Sequence, residues 1–574
     1  MTNESKIVST AEPLIWRSWR GRFGLFGSFL FILTFVNLIQ ATFTELLPDE
    51  AYYYMYSTRL AFGYFDHPPM IALLIKIGEF FTHSQFGVRV IPVLMNTATA
   101  YIMFKTCKPK DVQLFIFCYL NFIAFQALGF LAVPDIPLLF FTACFFYLYQ
   151  QFLKCQSWKI VLLLSFCAAA LIYSKYHGIL VIGFVVLSNL KLFLNYKFYV
   201  IILLALLLLL PHIMWQINND FPSIKYHLGY RFDGGVSLEN IFGYIGGQLA
   251  FIGPVGVWCL LKCNYKIKNK DKFDVAVLFT ALGFLVFFLA SSFNGRIEAN
   301  WTAAAFIPFI ILVNESSEKI NLRVVKTGAI VLILLMIPFR IYLMYDFLPA
   351  KLNYKYQRHG WQQWADNVKE KAKGAILVFQ DSYQKTSMYT FYANEFSHSI
   401  NSFGCRKSQF DLWTDYEDKI QGKTALTIPN WVNDSFDSIP SPIDEKMCCI
   451  RVNDYHSYSK LNFETDKKSY FINANDSLKM NVRVTAPPYV YSTLDINPKL
   501  LCYMSYRIFY TSKDSFADHI STTLLKPYLT ADSKYRTFTF SGAKFEKGKY
   551  KIIFYGRVGT TESGYCKPID LEVK

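Results

Sequence analysis

The sequence has no P-loop, no glycine-rich dinucleotide fingerprint, no internal repeat and no low-complexity tract. The first two absences exclude the usual phosphate-cradling loops of nucleotide enzymes. The third counts against a transporter or flippase, which is expected to show paired inverted repeats and helices broken near the bilayer midplane. The 12 cysteines show no metal-ligand spacing, so no zinc ribbon is expected. Five of them, Cys405, Cys448, Cys449, Cys502 and Cys566, fall in the C-terminal part. There they allow one or two disulfides if that part is exported. The N-terminal apolar run lacks a small-residue cleavage site and is expected to be a retained span. Acidic residues are few, 42 against 58 basic ones, for a net charge of +16. Nucleic-acid binding is not the preferred reading of that excess, because the basic residues cluster in short loops between apolar runs.

What the chain has in abundance is apolar sequence. Hydrophobic residues make up 53% of 574, the mean hydropathy is +0.24, and there are 54 Phe and 38 Tyr. Hydropathy predicts roughly eleven spans. Their positions are 23–41, 87–104, 112–131, 134–153, 160–174, 178–194, 198–214, 243–262, 273–293, 300–314 and 325–345. Basic residues test this map. Arg17, Arg20 and Arg22, then Lys105, Lys108 and Lys110, then Lys154 and Lys159, and further groups around Lys191, Lys266 and Lys319 all fall in loops on one side. The positive-inside rule makes that side cytoplasmic. An odd number of spans then places everything after about Asp346 outside.

The opposite face is chemically different. Its first loop, 42–86, carries Asp49, Glu50, Asp66 and His67. The spacing predicts two surface helices there, over Ala51–Ala61 and Pro69–Phe81, separated by Pro68-Pro69. Later loops add Asp135, Lys175-Tyr176-His177, His227, Arg231, Arg296, Glu298 and Asn300. Ionisable groups held at a bilayer edge are functional candidates by default. After the last span the pattern changes. An amphipathic helix over 360–373 precedes a buried strand at 375–379, and short alternating runs from about 440 favour a small β-sandwich. The expected organisation is a transmembrane domain over 1–345, an extracytoplasmic α/β domain over 346–440 and a β-sandwich-like domain over 441–574.

Four motifs recur together. They are Asp49-Glu50-Ala51-Tyr52-Tyr53, Gly63-Tyr64-Phe65-Asp66-His67-Pro68-Pro69, Pro134-Asp135 and Ser174-Lys175-Tyr176-His177-Gly178. Their combination resembles the dolichyl-phosphate-mannose protein mannosyltransferase-like family, glycosyltransferase family 39. It is also similar to the aminoarabinose lipid A transferases, and both belong to the GT-C class. Arg296-Ile297-Glu298-Ala299-Asn300-Trp301 resembles bacterial members, as do Gly360-Trp361-Gln362-Gln363-Trp364 and Ser382-Tyr383-Gln384.

The resemblance implies a multispan α-helical membrane enzyme of GT-C type with C-terminal extracytoplasmic α/β and β-sandwich domains. It implies a location in the bacterial inner membrane. A sugar carried on a polyprenyl phosphate is moved, with inversion, to a glycan, lipid or protein acceptor on the external face. Asp49 matches the family's catalytic base. Glu50, Asp66, His67, Asp135, Lys175, Tyr176, Arg231, Arg296 and Glu298 are the expected substrate ligands, and Asp66 with His227 the expected pair for a divalent metal. His67 stands where a lysine is expected beside the leaving phosphate, so Lys175, Arg231 or Arg296 is expected to supply that charge. Two rival classes remain at this point. One is a transporter of lipid-linked sugars, the other a non-catalytic glycan-binding protein of the cell envelope.

Overall fold

In the computed structural model the described residues are 14–227, 237–348, 359–401, 405–429, 436–441, 446–457, 459–473, 477–487, 490, 502–510, 515–519, 523–529, 534–540, 545–558 and 561–574. Arg231 lies outside them. The chain divides into two compact units, Met1–His359 and Gly360–Lys574.

The first unit is helical. Its elements begin α1 Leu14–Phe43, α2 Pro48–Thr58, α3 Met70–Glu79, α4 Gln85–Cys107, α5 Val112–Asn121 and α6 Ile123–Leu128. They continue with α7 Asp135–Lys154, α8 Trp158–Ser174, α9 Gly178–Ser188, α10 Tyr196–Asn218 and α11 Pro222–Lys225. The last are α12 Leu238–Ile252, α13 Pro254–Lys262, α14 Lys272–Ser291, α15 Phe306–Glu315 and α16 Leu322–Met344. Among the described residues six helices are long and apolar enough to cross a bilayer, or seven if α12 and α13 form one bent span. Several of the eleven expected segments are therefore shorter or broken.

Each break has a local cause. Asn121 ends α5, its side-chain amide donating to the carbonyls of Phe117 and Val325. Gly253, at φ +79°, turns the chain before Pro254, and α12 and α13 meet at 90°. α9 stops at Ser188, and a 3-10 turn completes the segment. Several starts are capped: Asp111, Ser157, Asn195, Asp271 and Asn321 accept from backbone N–H groups of the first turn. The interior is aromatic, with Phe26 stacked on Phe104 at 3.8 Å and Tyr119 on Phe125 at 4.4 Å.

The second unit opens with α17 Trp361–Ala372, whose Trp361, Trp364, Val368 and Ala372 are buried on one face as their spacing predicts. It adds α18 Tyr383–Ala393 and α19 Thr414–Asp418. The strands are β1 Ile376–Gln380, β2 Ser397–Ile400, β3 Lys423–Ile428, β4 Asp437–Ile439 and β5 Met447–Tyr455. They form a sheet of order β2-β1-β3-β5-β4. β1 is parallel to β2 and β3, whereas β5 is antiparallel to β3 and β4. This first sheet thus extends to Tyr455, beyond the boundary expected at 440. A six-stranded and a four-stranded sheet follow, enclosing Phe463, Phe538, Ile552, Phe554 and Leu571. Cys405, Cys448, Cys449 and Cys566 are free thiols, so the disulfide expectation is not met among them.

Candidate active site

The first loop forms α2 because Pro48 sets the first helical φ and Glu50 reaches back to accept from the Leu47 N–H at 3.0 Å. Asp49 and Glu50 are neighbours in the first turn, about 100° apart around the helix. That rotation separates their fates. Asp49 is exposed, while Glu50 is 0% exposed.

Glu50 is fully engaged by the protein. Arg89 of α4 reaches it through Nε at 2.7 Å and Nη2 at 2.5 Å, and the Ala132 N–H donates to it at 2.8 Å. The remaining Arg89 donors reach the carbonyls of Ala41, Thr44 and Glu45. Expected to touch substrate, Glu50 instead ties α2 to α4 and to the segment just before Asp135. Arg89 was missed by the sequence reading, although an arginine inside an apolar run is itself a signal.

Asp135 opens α7 and is 2% exposed. Lys175 meets one of its oxygens at 2.7 Å, and the Asn300 amide donates to the other at 3.0 Å. Three segments far apart in sequence converge on this carboxylate. Lys175, expected to face a phosphate, is buried in this ion pair.

Asp66 is likewise buried and accepts a hydrogen bond from the Tyr56 hydroxyl. Burial, then the Asp66 charge, push the Tyr56 phenol well above its ordinary range, so it remains a donor. Tyr56 stacks on Tyr64 at 4.1 Å, and burial raises Tyr64 to about 12. His67 packs edge-on against Tyr53 at 5.4 Å and lies 6.4 Å from the His227 ring. His227 Nε2 is 2.9 Å from the Asp66 carbonyl oxygen, so that nitrogen carries a proton and donates. This does not fit the expected metal pair. The imidazole nitrogen nearest Asp66 is used on its backbone, and among the described residues no group of three His, Cys, Asp or Glu side chains gathers as a metal site. No step is derived through a metal.

The Asn218 end of α10 fixes the remaining wall. His212 donates through Nδ1 to the Phe62 carbonyl at 2.6 Å, leaving Nε2 to accept from the Tyr176 hydroxyl at 3.3 Å. Gln216 donates to Tyr176 and to Ser223, which in turn donates to the Tyr64 carbonyl. Gly63 lies flat on Trp215; a Cβ there would come within 2.3 Å of the indole. Tyr176 also packs against His227 at 5.6 Å, and burial raises its phenol. Arg296, by contrast, is exposed and pairs with Glu298 at 3.2 Å. His212 escaped notice because it sits within the apolar run 198–214, and Gln216 because it follows just after that run.

The result is one polar wall. The helix that carries Asp49 holds Asp66 through Tyr56, and through Glu50 it holds the segment leading to Asp135. A solved structure with this architecture is ArnT from Cupriavidus metallidurans in the apo state, with a TM-score of 0.58 at 10% identity over 75% of this chain and 98% of that one. The same protein bound to undecaprenyl phosphate gives a TM-score of 0.56 at 11% identity over 74% and 98%. The chain has the fold of the GT-C glycosyltransferases. The dolichyl-phosphate-mannose-protein mannosyltransferase family matches residues 66–215, within the first unit. The lipid A galacturonosyltransferase RgtD of Rhizobium johnstonii is 21% identical over 306 residues, 51% of this chain. The match spans 64% of RgtD's own length.

Proposed function

We propose that this protein transfers a sugar from a polyprenyl-phosphate donor to an acceptor on the extracytoplasmic side of a bacterial inner membrane, with inversion at the anomeric carbon. The observation that carries the reading is the division of labour among the acids. Glu50 and Asp135 are buried and neutralised by cations, Asp66 is held by a tyrosine, and Asp49 is exposed on the same helix. An exposed carboxylate that an acceptor hydroxyl can reach is what general-base catalysis needs.

In this scheme Asp49 takes the proton of the acceptor hydroxyl as the oxygen attacks the anomeric carbon. The sugar–phosphate bond breaks on the opposite face, and the polyprenyl phosphate leaves with the electron pair. A single displacement by one base inverts the centre. The Asp135–Lys175–Asn300 cluster presents a fixed polar wall to the sugar. Tyr176, His67 and His227 line the side towards α10, and Arg231, four residues after His227, supplies the phosphate's countercharge. The acceptor is a glycolipid of the lipid A class, in keeping with the name of the galacturonosyltransferase relative.

The test is to incubate purified protein with lipid A and a panel of undecaprenyl-phosphate sugars, and to follow free undecaprenyl phosphate and the modified acceptor by mass spectrometry. Release that depends on both donor and acceptor is expected. No release with any donor in the panel overturns the reading.

A further inference from the structure

Arg340, on α16, is the one charged residue between Lys326 and Asp346. It is 8% exposed. A guanidinium withdrawn from water is costly unless an acid pairs with it, yet among the described residues no carboxylate does. Its partners are neutral. Nη1 donates to the Asn37 side-chain oxygen at 3.0 Å, Nη2 donates to the Gln126 carbonyl at 2.9 Å, and the centre of the Phe130 ring lies 5.5 Å from the guanidinium carbon. An ionisable group kept inside an apolar helix is a functional candidate, and the transfer scheme leaves this one without a part.

Gln126 and Phe130 belong to one short stretch, which runs from α6 through residues 129–134 to Asp135 at the start of α7. It is held at three points. Arg340 takes the Gln126 carbonyl. Phe130 meets two guanidiniums, that of Arg340 at 5.5 Å and that of Arg89 at 5.8 Å. Glu50 takes the Ala132 N–H. The two arginines are also joined through α1. The Gln40 amide donates to the Arg340 carbonyl at 3.2 Å and to the Thr44 hydroxyl at 2.6 Å, and the Thr44 carbonyl accepts from Arg89 at 2.5 Å. Gly129 shows how tightly the stretch is packed. A Cβ there would meet the Phe125 carbonyl oxygen at 2.6 Å and the amide nitrogens of Asn96 and Asn37 at 2.9 and 3.1 Å. Asn37 therefore meets Arg340 with its oxygen and faces Gly129 with its nitrogen. Three residues after Ala132, the Asp135 carboxylate has to reach both Lys175 and Asn300. A shift of the stretch moves that carboxylate.

We propose that Arg340 is a positioning residue for the transfer. From α16 it fixes the stretch before α7, and through that stretch the carboxylate of Asp135, against which the sugar lies. The inference rests on the transfer reading above and adds a residue more than 200 positions away in sequence. Arginine suits the task because its planar fork serves two acceptors while its face lies over a ring, and the point charge of a lysine cannot do both.

One arm of the test needs no activity. Hydrogen exchange of the full chain in nanodiscs, read on peptides covering 126–135, should quicken at least ~10-fold in Arg340→Gln and in Gly129→Ala, while α8 keeps its wild-type rate. The second arm is transfer. In Arg340→Gln, kcat should fall ~10–100-fold, with KM for donor and acceptor within about twofold of the wild type. Arg340→Lys should fall between the two. Placed on Asp135→Asn, Arg340→Gln should cost less than about a further twofold, because the carboxylate it positions is already replaced. A merely structural residue would show its whole loss there again. Where Arg340→Gln does not fold, Arg340→Lys carries the same comparisons. Unchanged exchange at 126–135, losses that multiply in the double variant, or a raised KM at unchanged kcat overturns the proposal. A wild type that transfers no sugar overturns the transfer reading instead, and the exchange arm then decides alone whether Arg340 holds the stretch.

Discussion

Two acid networks stand behind the first loop, and they are built differently. Around Glu50 every contact is strong, charge-assisted and dry: both it and Arg89 have side chains at 0% exposure. Around Asp66 the partners are a tyrosine hydroxyl and aromatic rings, with histidines at the edge. An ion pair sealed from water on all sides cannot change partners at low cost, because a lone buried charge is heavily penalised. A carboxylate held by a phenol, near imidazole rings, can. The first network suits a brace and the second a reacting surface, and Asp49 and Glu50 show how one step along a helix assigns a residue to one or the other.

The comparison breaks most sharply at Arg89. Arg89→Ala leaves Glu50 buried without its cation, and should cost about 3–5 kcal/mol. Thermal unfolding in detergent should report this as a large fall in Tm with activity lost alongside. An unchanged Tm would remove the brace. The Asp135–Lys175 pair gives a graded version. Asp135→Asn and Lys175→Met should each destabilise, and the double variant should do so by less than the sum, with a coupling of roughly 0.5–3 kcal/mol. Additive losses would mean the two side chains act separately.

The Asp66 network should respond in turnover and hardly in stability. Tyr56→Phe removes one hydroxyl, and a tenfold fall in transfer, about 1.4 kcal/mol, with a small change in Tm is expected. A loss of Tm as large as that of Arg89→Ala would make this network a second brace.

Much of this was legible before the structure. Two helices appear at Pro48–Thr58 and Met70–Glu79, close to where Pro68-Pro69 and the apolar spacing put them, but the first is buried from Glu50 to Ser57 and does not lie on a surface. The buried stripe of α17 and the strand Gly548–Val558 also follow their patterns. Spans were harder to read, because hydropathy sums over a window and does not register a single Asn121 or Gly253 that breaks a helix. Among the expected residues the structure joins Lys175 to Asp135 and His227 to the Asp66 carbonyl, but most partners were not legible. Nothing in a run such as Ser174-Lys175-Tyr176 tells that the lysine turns inward to Asp135, 40 residues away. Nor does it tell that an arginine on α4 neutralises Glu50.

A pH-dependent effect is predicted in the second unit. His398 is 3% exposed, and burial, with some help from Lys460, pushes its imidazole down to about 3. It is neutral when folded, whereas the unfolded chain takes up the proton near pH 6.5. Between about pH 6.5 and 3 the unfolded state therefore binds more protons, so stability is present above that window and falls as the pH drops through it, by up to about 1.4 kcal/mol per pH unit. Melting of the full chain between pH 7 and 5 should show this slope in the second unit's transition, and His398→Phe should flatten it. A slope of the same size in that variant would assign it to other groups.

The most direct test of the central claim is the turnover of Asp49→Asn against Glu50→Gln, measured in one preparation each with Tm alongside. The account predicts that Asp49→Asn keeps its Tm and loses about 10²–10⁴-fold in transfer, while Glu50→Gln loses Tm together with activity. Full transfer by Asp49→Asn, or a Glu50→Gln variant as stable as the wild type yet inactive, would contradict it.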